Sequence, residues 1–571
     1  MKWNPAGKQF QWWQKVVFYQ IYPRSFADAN GDGLGDFRGM TARLDYLADL
    51  GVDAIWLSPH YPSPYVDCGY DISDYRGVAP EYGSLKDFQS FLEGLHRRGM
   101  RLILDMVFNH TSDRHPWFIE SRSSRTNPKR DWFVWQPGRN DGPPNNWCST
   151  FGGSAWEWDA ITGEYYYHFF FKEQPDLNWS NPQVKEAMFN DVRFWLDMGV
   201  DGFRLDAIGT LFENPDLPDH PGHHTLDDLY RLSREPRALG AEDPGAAAWE
   251  EIFQYQHDQP GVHEMMKELR ALVDHYPGAV LVGETDDLAF YGNGKDELHL
   301  NFNFPLMRTN RITARHVLEN QKERLTKIPE GAWPCNTFGN HDSSRMLNQF
   351  GDGRHDDAIA RINLLLLLTL PGTPFLYNGE EIGMRDYLIQ DPRRFRDPLS
   401  NLNYENEMRL MGTSPEEAVR YGAERGRDKC RTPMQWNGHA NAGFCPAGVE
   451  PWLPVNPDYR EGVNVHDQEK DPASLLNWYR QILAFRKHYA ALQAGDFYAL
   501  SKPNQPVLVF TRGYDGEHLL VLLNLSADLQ QVSLPEEVVL QKQLISIQGG
   551  SLEMDRNRSL APFQGEIWQI E

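Results

Sequence analysis

Apolar and polar positions fall in blocks along this chain rather than alternating residue by residue. Five short apolar runs end abruptly in polar residues: VDAIWLSP (52–59), RLILDMVFNH (101–110), DGFRLDAI (201–208), AVLVGET (279–285) and TPFLYNGEE (373–381). Runs apolar at consecutive positions fit strands covered on both faces, as in a parallel sheet, better than half-exposed strands. Helix patterns lie between them. The clearest opens at Asn181-Pro182, a capping residue followed by proline at the first helical position. It carries Val184, Met188, Val192 and Trp195 on one face and stops at Gly199. Strands alternating with helices over several hundred residues predict an α/β fold. The polar residues that end the strands choose the closed form. Asp105, Asn109, His110, Arg204, Asp206 and Glu284 all follow apolar runs, and a (β/α)8 TIM barrel gathers its chemistry at the C-terminal ends of its strands.

Two regions interrupt the alternation. Residues 111–180 are rich in Trp, Asn, Gly and Pro without a long periodic run, which predicts a loop-rich subdomain inserted after the third strand. The stretch 383–460 has a similar texture, and long insertions at barrel loops are usually functional walls or lids. From residue 494 the pattern changes again: PVLVFTR (506–512), a YDGEH turn and LLVLLNLS (519–526) predict a hairpin and meander. The expected organisation is therefore a catalytic barrel over 1–110 and 181–493, the inserted subdomain over 111–180, and a C-terminal all-β, sandwich-like domain over 494–571.

Composition narrows the partner. A formal net charge of −24 over 571 residues disfavours nucleic acid and anionic membrane surfaces, because a like-charged field raises the cost of approach. A small neutral or cationic molecule fits better. No stretch is long and apolar enough to span a bilayer, and MKWNPAGKQFQWW lacks the apolar core of a signal peptide. Five scattered cysteines, Cys68, Cys148, Cys335, Cys430 and Cys445, show no C-x-x-C spacing, so free thiols and a cytoplasmic location are expected. The 18 tryptophans include rings on which a sugar could stack, although core filling accounts for most.

The segment DANGDGLGD (28–36) spaces Asp28, Asn30, Asp32 and Gly33 as a calcium loop does. An EF-hand would carry a bidentate Glu at the twelfth position, where Gly39 stands. On the residues alone, a metal cage and a glycine-rich turn that tolerates acids both stay open. Asp206, Glu284 and Asp342 follow strand-like runs in chain order, with Arg204 two places before the first and His341 directly before the last. A single acid at a strand end is most often structural. Two carboxylates flanking a glycosidic bond suffice for hydrolysis, one attacking the anomeric carbon and one protonating the leaving oxygen. Arg204 emerges on the same strand face as Asp206 and is expected to keep that carboxylate charged.

Together, DMVFNH (105–110), GFRLDAI (202–208), VGET (282–285) and FGNHD (338–342) resemble the four signature regions of the α-amylase family, glycoside hydrolase family 13. QPDLNW (174–179), RTPMQW (431–436) and VFYQIYPRSFADANGDGLGDFRG near the start resemble its α-glucosidase and oligo-1,6-glucosidase branch. The resemblance implies that Asp206 is the nucleophile, Glu284 the general acid/base and Asp342 the transition-state stabiliser. It also implies that Asp67, Tyr70, His110, Phe151, Phe170, Arg204, His341 and Arg427 surround the non-reducing glucose. It turns the DANGDGLGD loop into a structural Ca2+ or Mg2+ site, with Asp28, Asn30, Asp32 and Asp36 as side-chain ligands and Leu34 through its carbonyl, and no organic cofactor. The residue after the nucleophile, Ala207, leans toward α-1,4 linkages, and Cys68 stands where the branch usually has Asn. The expected activity is a retaining, exo-acting α-glucosidase on short oligosaccharides, maltose-type bonds preferred, with transglucosylation at high substrate, working as a monomer or homodimer. The alternative on the same scaffold is a sucrose or trehalose isomerising transglucosylase. His220, His223 and His224 in the 215–236 segment are read as solvated loop residues shaping the pocket entrance rather than as a zinc site.

Overall fold

Eight parallel strands form the centre of the computed structural model, which describes residues 1–5, 10–235, 245–547, 549 and 554–571. They are β1 (Phe18–Ile21), β2 (Ala54–Leu57), β3 (Arg101–Val107), β4 (Gly202–Asp206), β5 (Val280–Gly283), β6 (Leu300–Asn301), β7 (Cys335–Thr337) and β8 (Thr373–Tyr377). The sheet runs β6-β5-β4-β3-β2-β1-β8-β7, every pairing parallel. The five apolar runs became β2, β3, β4, β5 and β8. The others are less legible: β6 has two residues, and β7 has three with an asparagine in the middle.

Among the described residues no ladder joins β6 to β7, and side-chain amides close that seam instead. Asn303 Nδ2 donates to Asn336 Oδ1 at 2.9 Å and Asn320 Oδ1 at 2.8 Å, while Arg324 Nη2 donates to Asn301 O at 3.0 Å. Buried backbone groups deprived of a ladder need such partners.

Side-chain direction in a strand has period two, and it sorts each strand into an inner and an outer set. Phe18, Ala54, Trp56, Ile103, Val280, Val282, Leu300, Cys335 and Phe375 share one buried cluster with Trp13 and Trp333. Trp333 Nε1 and Trp13 O both bond Thr373 Oγ1 at the start of β8, so these indoles plug the N-terminal end. The intervening residues, such as Tyr19, Ile55, Leu104, Phe203, Leu205 and Leu281, join the larger cluster under the helices. Following the inner set upward leads from Ile103 to Asp105, from Gly202 to Arg204 and Asp206, and from Val282 to Glu284. Gly202 is required where it stands: a Cβ there would meet Val280 O at 2.1 Å.

The helix predicted after Asn181 spans Pro182–Met198. Asn181 accepts from Gln183 N, Gly199 takes the left-handed C-terminal position, and Val184, Met188, Val192 and Trp195 are buried. Residues 111–180 carry a three-stranded antiparallel sheet of Trp135–Gln136, Trp156–Asp159 and Glu164–Tyr167. A bridge between His110 and Asp176 fastens this segment to the barrel rim.

At the C-terminus, Val507–Tyr514, Glu517–Asn524, Gly565–Ile570 and Leu540–Ser546 form an antiparallel sheet. Gln530–Ser533 pairs with Asn557–Leu560 beside it. Phe497–Ala499 and then Lys2–Trp3 extend the larger sheet, so a strand from the chain start, absent from the sequence expectation, belongs to it. Residues 548 and 550–553 of the predicted β domain lie outside the described residues. No helix among the described residues is long and apolar enough to cross a membrane, and all five cysteines are free.

Candidate active site

Arg204 is the hub of the C-terminal face. Its Nη1 lies 2.6 Å from Asp105 Oδ1 and 2.6 Å from Asp206 Oδ1, and its Nη2 lies 2.7 Å from Glu284 Oε2. The guanidinium is only 1% exposed and lies over the Trp56 ring. The pairing expected between Arg204 and Asp206 is present but not exclusive, because one buried cation serves three carboxylates. The expectation that Arg204 keeps the Asp206 carboxylate charged is not met. Burial pushes the Asp206 carboxyl well up, Arg204 opposes it, and the Glu284 and Asp105 charges add to the rise. Asp105 is pushed up to about 6, again by burial against the pull of Arg204. One positive charge facing three negative ones favours a proton retained within the set.

Asp105, noted in the sequence only as a polar strand end, bonds further site residues beyond Arg204. Its Oδ2 accepts from Trp56 Nε1 and from Tyr70 Oη, both at 3.2 Å. Tyr70 Oη lies 2.6 Å from His341 Nε2, and Gln20 Nε2 donates to His341 Nδ1 at 2.7 Å. A His341 that accepts at Nδ1 and donates at Nε2 is the neutral ring. Burial agrees, lowering its pKa well below the ordinary histidine value. Asp342, a third of whose side chain is exposed, lies 3.4 Å from His341 Nε2 and is held by Arg431, whose Nε donates to His341 O. Burial works against ionisation there, but the guanidinium groups of Arg431 and Arg427 hold the Asp342 carboxyl far below the usual carboxylate range.

A second ion network lies beside the first. Arg427 Nη2 lies 2.7 Å from Asp67 Oδ1 and 2.7 Å from Asp397 Oδ1. Asp397 caps the helix Pro398–Asn406 and also accepts from Arg427 N, so the 383–460 region supplies part of this network. Gln174 Nε2 reaches Asp67 Oδ2 at 3.2 Å and His110 Nε2 at 2.8 Å, and the other ring nitrogen of His110 meets Asn109 Oδ1 at 2.9 Å. Burial lowers His110 to about 4, which keeps the ring neutral. Phe170 packs edge-on to His110, and Phe151 lies against Phe170 and Phe171.

All eleven predicted catalytic and pocket residues therefore join one connected set at the strand ends. Asp105, Gln174, Asp397 and Arg431 were given no role, although DMVFNH, QPDLNW, the stretch 383–460 and RTPMQW contain them. The available signal was that each is a charged or amide residue inside a run already set apart.

The DANGDGLGD loop lies apart from this set. Asp28 accepts from Gly31 N and Gly33 N, Asp32 from Leu34 N, and Asp36 from Ala29 N, Asn30 N and Gly39 N. Burial raises the Asp28 carboxyl above its ordinary value against the pull of Gly31 N and Gly33 N, and the charges of Asp32 and Asp36 add to the rise. This hard-oxygen set has the chemistry of a small divalent cation site. Among the described residues, however, no three His, Cys, Asp or Glu side chains are gathered as a formed cage. His224 Nδ1 bonds Glu251 Oε2 at 2.6 Å, His223 Nδ1 lies 3.5 Å from Glu251 Oε1, and His220 Nδ1 accepts from Gly222 N. Pro236, at the end of that segment, lies outside the described residues.

A parallel barrel with a carboxylate cluster at its C-terminal strand ends has the architecture of a barrel hydrolase. Comparison with known proteins makes the class specific. The family model described as alpha amylase, catalytic domain, matches residues 20–495. An oligo-1,6-glucosidase of Parageobacillus thermoglucosidasius is 38% identical over 98% of this chain and 99% of its own. A probable alpha-glucosidase of Rhizobium meliloti is 41% identical over 92% and 91%. Among solved structures, the trehalulose synthase MutB from Pseudomonas mesoacidophila MX-45 superposes with a TM-score of 0.87 at 37% identity, covering 99% of this chain and all of that one. The chain belongs to the alpha-amylase family, glycoside hydrolase family 13, and is a glycosidase.

Proposed function

We propose that this enzyme is a retaining, exo-acting α-glucosidase that removes terminal glucose from short oligosaccharides, prefers α-1,4 bonds of the maltose type, and transfers glucose to a second sugar when substrate is abundant. The observation that carries this reading is the pairing of Asp206 and Glu284 on one guanidinium, beside the ion network of Asp67, Arg427 and Asp397. In this reading that network blocks one end of the site, leaving room for a terminal sugar and not for a continuing chain. The curated α-glucosidase and oligo-1,6-glucosidase relatives support the substrate class, and the small Ala207 supports the α-1,4 preference.

In this reading ionised Asp206 attacks the anomeric carbon, the glycosidic bond breaks, and protonated Glu284 gives its proton to the leaving oxygen. A glucosyl ester of Asp206 results. Glu284, now a carboxylate, takes a proton from water or a sugar hydroxyl as that oxygen attacks the same carbon and releases Asp206. Double displacement needs one ionised and one protonated carboxyl, so this reading requires the proton of the Arg204 set to reside on Glu284 when Asp206 attacks. Asp342, kept ionised by its cationic neighbours, takes the role of holding ring hydroxyls and opposing the positive charge that develops on the sugar. Phe151 and Phe170 form an apolar flank, and exclusion of water from the glucosyl ester favours transfer over hydrolysis.

Asp28, Asn30, Asp32, Asp36 and the Leu34 carbonyl would hold a Ca2+ or Mg2+ ion that stabilises the native state by preferential binding. A cytoplasmic location belongs to the same reading and is supported by the free thiols, which a reducing compartment preserves. The test is product analysis over time on maltose, isomaltose and sucrose, each at low and high concentration. Glucose released faster from maltose than from isomaltose, with trisaccharides only at high maltose, is the expected result. A sucrose isomer formed with little free glucose would instead establish the isomerising transglucosylase, a reading supported by the trehalulose synthase likeness. Trehalose formed from maltose would do the same for the other member of that class.

A further inference from the structure

Ala207, directly after Asp206, stands at φ +42° and ψ +44°, left-handed backbone that a residue with a Cβ seldom adopts. Such outliers persist where the surroundings over-determine them, and they gather at working sites. Here the consequence can be read atom by atom. Ala207 N donates to Glu284 Oε2 at 3.1 Å, the same oxygen that Arg204 Nη2 approaches at 2.7 Å. Thr210 holds the conformation from the other side, donating to Ala207 O through both N, at 3.1 Å, and Oγ1, at 2.7 Å. Asn109 Nδ2 in turn donates to Thr210 O at 2.7 Å.

From this geometry, and resting on the α-glucosidase reading above, we infer that the Ala207 N–H is a positioning group: with Arg204 it fixes Oε2 of Glu284 as an acceptor and so commits Oε1 to carry the proton that reaches the leaving oxygen. An oxygen that already accepts one hydrogen bond and lies 2.7 Å from a guanidinium nitrogen is a poor place for a proton. Oε1 receives no hydrogen bond from the described residues. The charged and titratable neighbours of this carboxyl are Arg204, Asp206 and Asp105. Ala207 is the neutral donor among them, and its direction depends on backbone conformation rather than on charge.

Residues branched at Cβ resist left-handed backbone more than alanine does, and glycine adopts it freely. The test compares A207V, A207T and A207G with the native enzyme on two substrates. In maltose the departing glucose is a poor leaving group that needs a proton, whereas the aryloxide of p-nitrophenyl α-glucoside departs with little help, so kcat/KM for the two separates proton donation from binding. For A207V and A207T the expected ratio of maltose to aryl-glucoside kcat/KM falls about fivefold or more, through kcat rather than KM, and the alkaline limb of the maltose profile moves to higher pH, because loss of a donor makes the carboxylate form less favourable. A207G is expected to hold the native ratio and the native limb. Equal losses on both substrates, a maltose loss matched by a gain on isomaltose assayed alongside, a loss confined to KM, an unmoved alkaline limb, or the same change in A207G would each overturn the inference. Melting temperatures of the four proteins show that folded enzyme is being compared, and native turnover of maltose in the same assay tests the α-glucosidase reading separately.

Discussion

Nη1 of Arg204 lies 2.6 Å from Oδ1 of Asp206 and is equally close to Oδ1 of Asp105. An inward-facing guanidinium two residues before an inward-facing carboxylate is a direct product of strand geometry. What the strand does not supply is the second acid, and Asp105 comes from the neighbouring β3.

Replacing Arg204 tests this arrangement first. Lysine keeps a charge but has one nitrogen where three carboxylates need a fork. Arg204→Lys is expected to lower kcat on maltose about 10²–10³-fold, or about 3–4 kcal/mol, the scale of losing a preorganised electrostatic group. Steady-state kinetics with a melting curve alongside check it, and activity within tenfold of native would remove Arg204 from the centre of the account.

The second ion network makes a different prediction. Asp67→Asn leaves Arg427 with Asp397 but weakens the charge that meets the terminal sugar. The expected change is a rise in KM with kcat/KM down about 10²-fold, about 2.7 kcal/mol, as for a buried charged hydrogen bond truncated on one side. Loss of kcat at unchanged KM would place Asp67 elsewhere in the cycle.

Buried His110 predicts a dependence of stability on acid. Its folded value, about 4, lies below the free histidine value of about 6.5. The folded state therefore binds fewer protons than the unfolded state between those pH values. The stability this group contributes is fully present above pH 6.5 and is lost as pH falls toward 4, a range of at most about 3 kcal/mol. A His110→Gln variant cannot titrate there, so its melting temperature is expected to fall several degrees less than the native one between pH 7 and pH 4.5. Equal falls would show that another group governs the range.

The loop at 28–36 predicts a chelator effect without a catalytic one. A cation present at 100 times its Kd adds about 2.7 kcal/mol. Removal by chelator should lower the melting temperature, Ca2+ or Mg2+ should restore it, and Asp32→Asn should abolish the response while kcat on maltose stays near native. A melting temperature indifferent to both ions would leave the loop as a turn closed on its own N–H groups.

The barrel was legible because its longer strands are apolar on both faces and end at polar residues, the same property that placed Asp206 and Glu284. Strands β6 and β7 carried no such signal. Their edges meet through Asn303, Asn320 and Asn336, and amides bonded to amides leave no periodicity to read. The second ion network was harder for another reason. Asp67 and Arg427 are 360 positions apart, and Asp397 sits in a loop whose register only the fold decides. Arg431 was visible as part of RTPMQW, but its bond to Asp342 depends on how two loops meet. The charge of Asp206 could not be read from Arg204 alone, since the third carboxylate becomes its neighbour only when β3 pairs with β4.

The most direct measurement is to trap the intermediate. Enzyme treated with a 5-fluoro-α-glucosyl fluoride, digested and examined by mass spectrometry, is expected to carry a fluoroglucosyl group on the Asp206 carboxylate, with Asp206→Asn unlabelled. Label on another carboxylate, or none during turnover of a competent native enzyme, would contradict nucleophilic catalysis by Asp206.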